Sequence, residues 1–203
     1  MLRFILVLIC LVTTQSVSAA TILVLGDSLS AAYGLRVEDG WVALLQKEHP
    51  EHTWINASIT GETTQGGLSR LDSLLIKHEP DVLILELGAN DGLRGLPLNL
   101  AQDNLQTMVS RGKSAGADIL ILGIRIPPNY GPRYTHDFAT MFTSLAEKNN
   151  VAVVPFFLKA IAEDSARFQP DRLHPNASAQ PLIAETVWPD LQAVLESLPS
   201  NKH

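Results

Sequence analysis

Cysteine is almost missing from this chain, which carries one, Cys10, in 203 residues. A lone thiol cannot form an internal disulfide, so stability has to come from a buried apolar core of the size that one domain of this length can build. Long apolar runs are scarce as well. The most extended, Phe4 to Val12, falls short of the ~20 residues needed to span a bilayer. With Arg3 ahead of it and the small residues Ser16-Val17-Ser18-Ala19-Ala20 behind, it has the three-part layout of an export signal. Cleavage is expected after Ala19 or Ala20, and Cys10 would leave with the signal. The bulky Ile9 beside Cys10 does not suit lipid attachment there. The expected product is a periplasmic or secreted protein with no integral membrane segment.

Clustered positive charge is absent too. The formal net charge is −6, from 15 Lys+Arg against 21 Asp+Glu, and it becomes −7 once Arg3 is removed. No basic stripe is present that could displace counterions from a phosphate backbone, so nucleic acid is not an expected partner. The G-x-G-x-x-G pattern follows none of the strand-like runs. Gly61-Glu62-Thr63-Thr64-Gln65-Gly66-Gly67 has the glycine spacing of a phosphate loop but lacks its lysine. His49 and His52, in Glu48-His49-Pro50-Glu51-His52, lack zinc-type spacing and read as part of a solvated loop. Neither a metal nor a cofactor is expected.

What the chain does have is a regular alternation. Apolar β-type runs recur at Ile22–Leu25, Trp54–Ala57, Val82–Leu87, Ile119–Ile124 and Val151–Val154. Helical spacing lies between them, as in Leu68, Leu71, Leu74 and Leu75, and again in Leu100, Leu105, Met108 and Val109. Strands that are apolar throughout and alternate with helices belong in a parallel sheet covered on both faces. The expected fold is therefore a three-layer α/β/α sandwich on a five-stranded parallel sheet, one domain over residues 21–198. Gly112 and Gly116 are expected to close one helix and Asn149-Asn150 another, with Pro127 to Pro132 a stiff loop. Ligands of open parallel sheets bind beyond the carboxyl ends of the strands. That rule singles out residues 26–28, 58–61, 88–91, 125–134 and 155–174.

At the first of these, Ile22 to Leu25 run into Gly26-Asp27-Ser28, and Leu29, Ala31 and Ala32 then suit a helix. Ser28 there is either an N-cap or a nucleophile whose developing charge the helix amides favour. Taken alone, the cap is the stronger reading, and a partner base is needed to reverse it. Among the histidines, His78 precedes Pro80 at a helix end, His136 adjoins Asp137, and His203 is in the tail. His174 differs: in Asp171-Arg172-Leu173-His174-Pro175 a carboxylate stands three residues before an imidazole, and Pro175 disfavours a helix at His174. Asp171 could accept the Nδ1 hydrogen and leave Nε2 free for a hydroxyl proton. The same spacing also fits an ordinary surface contact. Gly61 in "NASITGET" and Asn90 in "LGAND" could donate to an oxyanion, although turns use both residue types for backbone reasons.

Taken in order, "GDSLS" (26–30), Gly61, "GAND" (88–91) and "DRLH" (171–174) resemble the four blocks of the SGNH, or GDSL, hydrolase family. The resemblance runs from Thr21 to about Leu195. "GDSLSAAYGL", "NASITGETTQGGLSRL", "ELGANDGLRGLP" and "PPNYGPRY" are most similar to its exported bacterial thioesterase I, lysophospholipase and arylesterase group. It implies a flavodoxin-like fold, with Ser28 as nucleophile, His174 as base and acid, and Asp171 as its orienter. The Ser28 amide, the Gly61 amide and the Asn90 side chain would form the oxyanion hole. The implied reaction is hydrolysis of carboxylic esters and thioesters, including acyl-CoA thioesters, lysophospholipids and aryl esters, through an acyl-enzyme without cofactor. The alternatives are a carbohydrate acetylesterase on the same scaffold and a non-catalytic ligand carrier. A monomer is expected. For the acyl chain, the candidates are Leu93 and Leu96 in the loop Gly92 to Leu98, with Tyr130 in the facing loop, although such leucines equally fit a cover over the sheet end.

Overall fold

The computed structural model describes residues 19–199. The expected export signal lies outside them except for its last two residues, as do Cys10 and His203. The chain runs β1 Thr21–Gly26, α1 Trp41–Glu48, β2 Thr53–Asn56, α2 Thr64–His78, β3 Val82–Glu86, α3 Ala89–Leu93, α4 Leu98–Ser114, β4 Asp118–Leu122, α5 Pro132–Asn149, β5 Ala152–Val154 and α6 Gln180–Ser197. All five strands are parallel, in the order β2-β1-β3-β4-β5. In the register, Ile22 lies opposite both Trp54 and Val82, and Leu85 lies opposite Ile121.

Helices α1 and α6 cover one face, and α2, α4 and α5 cover the other. With both faces covered, every residue of β3 and all but the first of β1 are buried, which is why those strands are apolar without alternation. Trp41, Phe138, Phe142 and Phe157 are fully buried beside them. Burial of a large apolar side chain contributes about 1.5–3 kcal/mol, so a core of this kind stands in for the missing cross-links.

The helix signals are met with local differences. In α4 the buried stripe is Ala101, Leu105, Met108, Val109 and Gly112. Leu100, which was expected on this stripe, is exposed because it precedes Ala101 by one ~100° step around the helix. Gly112 does not end α4 but lies inside it. A Cβ there would stand 2.6 Å from Ile119 Cδ1, so its bareness lets the helix approach the sheet. Gly116 follows the helix end, and Asn150, left-handed at φ 50°, closes α5. The stiff proline segment is shorter than expected, since Pro132 is already the first residue of α5. The His49–His52 stretch is not a solvated loop: His49 stacks on Trp188 with ring centroids 3.4 Å apart, and buried His52 accepts the Ala20 amide through Nδ1 at 3.2 Å.

Candidate active site

The chain leaves β1 for β2 on one side of the sheet, then passes to β3 on the other. This reversal opens a crevice beyond the carboxyl ends of β1 and β3, the usual ligand position in such sheets. Ser28 follows β1 and Asn90 follows β3.

No α-helix starts at Ser28, contrary to the sequence expectation. A single turn forms, with the Ala31 amide donating to the Asp27 carbonyl at 2.9 Å, and left-handed Ala32 (φ 57°) interrupts it. Asp27 acts as the local cap: its Oδ1 accepts the Leu29 amide at 3.0 Å. The Ser28 hydroxyl is therefore free of the capping role.

At the other end of the chain, Asp171 closes a similar turn. Its Oδ1 accepts the amides of Leu173 and His174 at 2.9 and 3.0 Å, and its Oδ2 lies 2.7 Å from His174 Nδ1. Arg172 between them is left-handed at φ 58°. These bonds, the His174 amide foremost, lower the Asp171 pKa from 3.8 to about 2. An ionised carboxylate accepts the Nδ1 hydrogen, which leaves Nε2 as an acceptor. His174 Nε2 is 2.9 Å from Ser28 Oγ. The segment is tied to the turn after β1 by Gln169, whose side-chain amide donates to the Tyr33 carbonyl at 2.7 Å and the Pro175 carbonyl at 3.0 Å. Tyr33 also packs against the His174 ring, with centroids 4.4 Å apart.

Behind Ser28 lies a pair of buried acids. Glu86, at the end of β3, accepts the Ser30 hydroxyl at 2.8 Å and the Asp27 amide at 3.2 Å. A Cβ at residue 26 would come within 2.8 Å of Glu86 Oε2, so glycine is what admits this carboxyl beneath the loop. Burial pushes Glu86 well above the usual carboxylate range, and the Asp27 charge adds to the shift. Burial likewise raises Asp27 from 3.8 to about 6, against the lowering effect of its bonds from Leu29 and Asn90.

Asn90 sits in α3, just after left-handed Gly88. Its Nδ2 donates to Asp27 Oδ2 at 3.0 Å and to the Glu62 carbonyl at 3.1 Å. Gly61 adopts φ 77°, and its carbonyl accepts from Arg94 Nη2 at 2.9 Å. Among the described residues the amides of Ser28 and Gly61 make no hydrogen bond. Ser28, Gly61, Asn90 and His174 border one cavity of about 540 Å³, within the usual size range of small-molecule sites. Asp171 stands behind His174, outside the lining.

The acyl candidates divide. Leu93 lines the cavity, whereas Leu96 and Tyr130 do not. The chain turns away after α3 through Gly95 (φ 64°), leaving Leu96 at 38% exposure. Tyr130 acts as a strut: its hydroxyl donates to the Leu93 carbonyl at 2.6 Å, as that of Tyr134 does to the Leu96 carbonyl at 2.9 Å. The apolar wall is instead built by Leu29, Ile124, Ile126, Phe156, Leu158 and Phe168. Most of these lie in the stretches after β4 and β5 singled out from the sequence, but no local pattern marks them individually.

The family model of the GDSL-like lipase/acylhydrolases matches residues 24–180. The chain belongs to this family. Esterase TesA of Pseudomonas aeruginosa is 46% identical over 186 residues, 90% of this chain and 92% of that protein. Thioesterase 1/protease 1/lysophospholipase L1 of Escherichia coli is 40% identical over 91% of this chain and 89% of its own. The crystal structure of the psychrotrophic esterase EstA from Pseudoalteromonas sp., inhibited by monoethylphosphonate, matches with a TM-score of 0.84 and 48% identity, covering 87% of this chain and 99% of that one. As a GDSL-family hydrolase, the chain is an enzyme that acts on ester bonds.

Proposed function

We propose that this hydrolase works through a serine acyl-enzyme with Ser28 as nucleophile, His174 as general base and acid, and Asp171 as the group that orients His174. The observation that carries this reading is the unbroken chain from Ser28 Oγ to His174 Nε2 (2.9 Å) and from His174 Nδ1 to Asp171 Oδ2 (2.7 Å) at the edge of an apolar cavity. Ser28 Oγ adds to the substrate carbonyl carbon as His174 Nε2 takes its proton. The oxyanion meets the amides of Ser28 and Gly61 and the Asn90 Nδ2 hydrogen that it takes over from the Glu62 carbonyl, while Asp27 holds the other. His174 then protonates the departing alcohol or thiol, leaving the acyl group on Ser28. A water deprotonated by His174 attacks this ester and releases the carboxylic acid.

The substrates proposed are acyl esters and thioesters, among them aryl esters, lysophospholipids and acyl-CoA thioesters, in line with the names of the relatives. An apolar wall suits an acyl chain better than a sugar, which argues against the carbohydrate acetylesterase alternative. A carrier would have no use for an aligned Ser-His-Asp chain. We also propose that the chain acts as a monomer in the periplasm or medium after loss of its first 19 or 20 residues. Among the described residues no helix is long and apolar enough to cross a membrane.

A fluorophosphonate probe tests the assignment: it should label wild type at Ser28 and fail to label Ser28→Ala. Turnover of a short aryl ester should fall about 10⁴-fold or more in Ser28→Ala and in His174→Ala, since such residues act as a unit. Labelling elsewhere, or near-wild-type turnover in a folded variant, would overturn it.

A further inference from the structure

Eight arginines lie among the described residues, and five of them stand within 4 Å of a carboxylate, such as Arg36 with Asp39 and Arg111 with Asp72. The other three, Arg94, Arg125 and Arg172, have no carboxylate partner among the described residues. All three belong to the carboxyl end of the sheet. Arg125 and Arg172 line the cavity itself, and Arg94 holds the Gly61 carbonyl beside it. On a chain with net charge −6, these are the described guanidinium groups that no carboxylate pairs.

The acids close to this mouth form no ion pair with these three arginines, because each is held by other groups. Asp171 is bound by His174 and the Leu173 amide, and Asp27 by Leu29 and Asn90. Asp91 accepts the amide and hydroxyl of Thr64, and Glu62 pairs with Arg70. Arg125 is placed by its guanidinium lying over the Phe156 ring, 4.9 Å from the centroid. Among the described residues its N–H groups make no hydrogen bond or ion pair, which leaves them available. Arg172 occupies a left-handed position that disfavours a side chain, in the turn that runs from Asp171 to His174.

Building on the serine-hydrolase reading above, we infer that Arg172 and Arg125 bind a phosphoryl group carried on the alcohol or thiol half of the substrate. Two geometric points favour that half. The apolar wall of Leu93, Ile124 and Leu158 suits the acyl chain, and Arg172 stands two residues before His174 on the same cavity, where His174 hands its proton to the leaving group. A guanidinium presents paired N–H groups that match phosphate oxygens, so the class recognised is a phosphate ester or phosphoanhydride. A lysophospholipid headgroup and the nucleotide phosphates of an acyl thioester both meet that description.

The test compares kcat/KM for one acyl chain on three leaving groups: a neutral aryl alcohol, a glycerophosphate headgroup, and a thiol bearing nucleotide phosphates. In Arg172→Gln and Arg125→Gln the ratio of phosphate-bearing to neutral substrate should fall about tenfold or more, as for loss of a charge-assisted hydrogen bond. The paired surface arginine variant Arg133→Gln should keep the wild-type ratio. Raising the salt concentration should lower the ratio in wild type and much less in the double variant. A fall limited to the glycerophosphate arm identifies a lipid headgroup, and one limited to the thioester arm identifies a nucleotide; either supports the inference. An unmoved ratio, or an equal fall on all three substrates, overturns it. Fluorophosphonate labelling of Ser28 in the same samples separates the two claims. Labelled enzyme with an unmoved ratio sinks the phosphate site alone, whereas absence of labelling in wild type sinks both readings.

Discussion

The two ends of the parallel sheet solve the same chain-reversal problem in different ways. Among the described residues, four other than glycine adopt left-handed backbone: Ala32, Glu79, Asn150 and Arg172. Glu79 and Asn150 lie at the amino end, where they stop α2 and α5, and their amides return to carbonyls of the helix just finished. Ala32 and Arg172 lie at the carboxyl end and stop no long helix. They shape the turns that present Ser28 and His174. Polar groups show the same contrast. At the amino end the Thr21 amide donates to Asp81 Oδ2 at 2.9 Å, and the Asp118 amide to the Asp81 carbonyl at 2.8 Å. At the carboxyl end two acids are buried with raised pKa values, and among the described residues the amides of Ser28 and Gly61 have no acceptor. Each end holds two such left-handed residues, but one end uses them to stop helices, while the other combines them with unpaired amide donors where an oxyanion could use them.

Substitutions can break this contrast at the open end. Asn90→Ala removes the donor proposed to act mainly in the transition state. It should lower kcat about 10²–10³-fold with little change in KM for an aryl ester. If KM alone rose, Asn90 would be a substrate-binding residue instead.

Next in size is the charge buried behind Ser28. Asp27 has its pKa raised from 3.8 to about 6, so folding favours its protonated form. The folded state then carries no penalty from this group below about pH 4, acquires one as pH rises, and carries all of it above about pH 6. Asp27→Asn abolishes that ionisation. Urea unfolding of both proteins should show the stability difference moving toward the variant by up to about 3 kcal/mol between about pH 4 and pH 7. The lost Asn90 contact adds an offset that pH does not change. A difference that stays flat over this range would mean that Asp27 ionises as freely folded as unfolded.

Leu93 is a smaller and more selective test. A serine there should reduce kcat/KM for a long acyl ester relative to the acetyl ester of the same alcohol, by up to about 0.8 kcal/mol for each methylene that loses its apolar wall. Leu96→Ser, outside the lining, should leave that ratio near wild type. Equal effects of the two changes would contradict the division between them.

The smallest effect belongs to the closed end. Glu79→Gly places the residue best suited to φ 42° at the C-cap of α2 and should add about 0.5–1 kcal/mol of stability, read as a higher Tm. Turnover should not change, because nothing at that end of the sheet touches the cavity. A loss of activity here would show that the two ends are coupled.

The sequence by itself determined the layers, the strands and the four short blocks proposed to carry the chemistry. Apolar runs such as Val82–Leu87 can only be strands buried on both faces, and the rule that ligands bind beyond strand ends made the loops after them the place to look. Those signals are local, each fixed by residue type and spacing along the chain. Tertiary structure alone decided how distant segments share space. A helix-like run after Ser28 became a single turn, because its geometry is set by contacts from β3 through Glu86 and by the Gln169 bond to the Tyr33 carbonyl, across 136 residues. Leu93 faces the cavity and Leu96 does not, although the two look alike in sequence, because α3 ends between them. Glu86 reads as the polar end of a strand, yet it is buried beneath Asp27, and that burial and the Asp27 charge push its pKa up. Local spacing cannot specify such outcomes, because burial, electrostatic coupling and cavity lining depend on which segments the sheet order brings side by side.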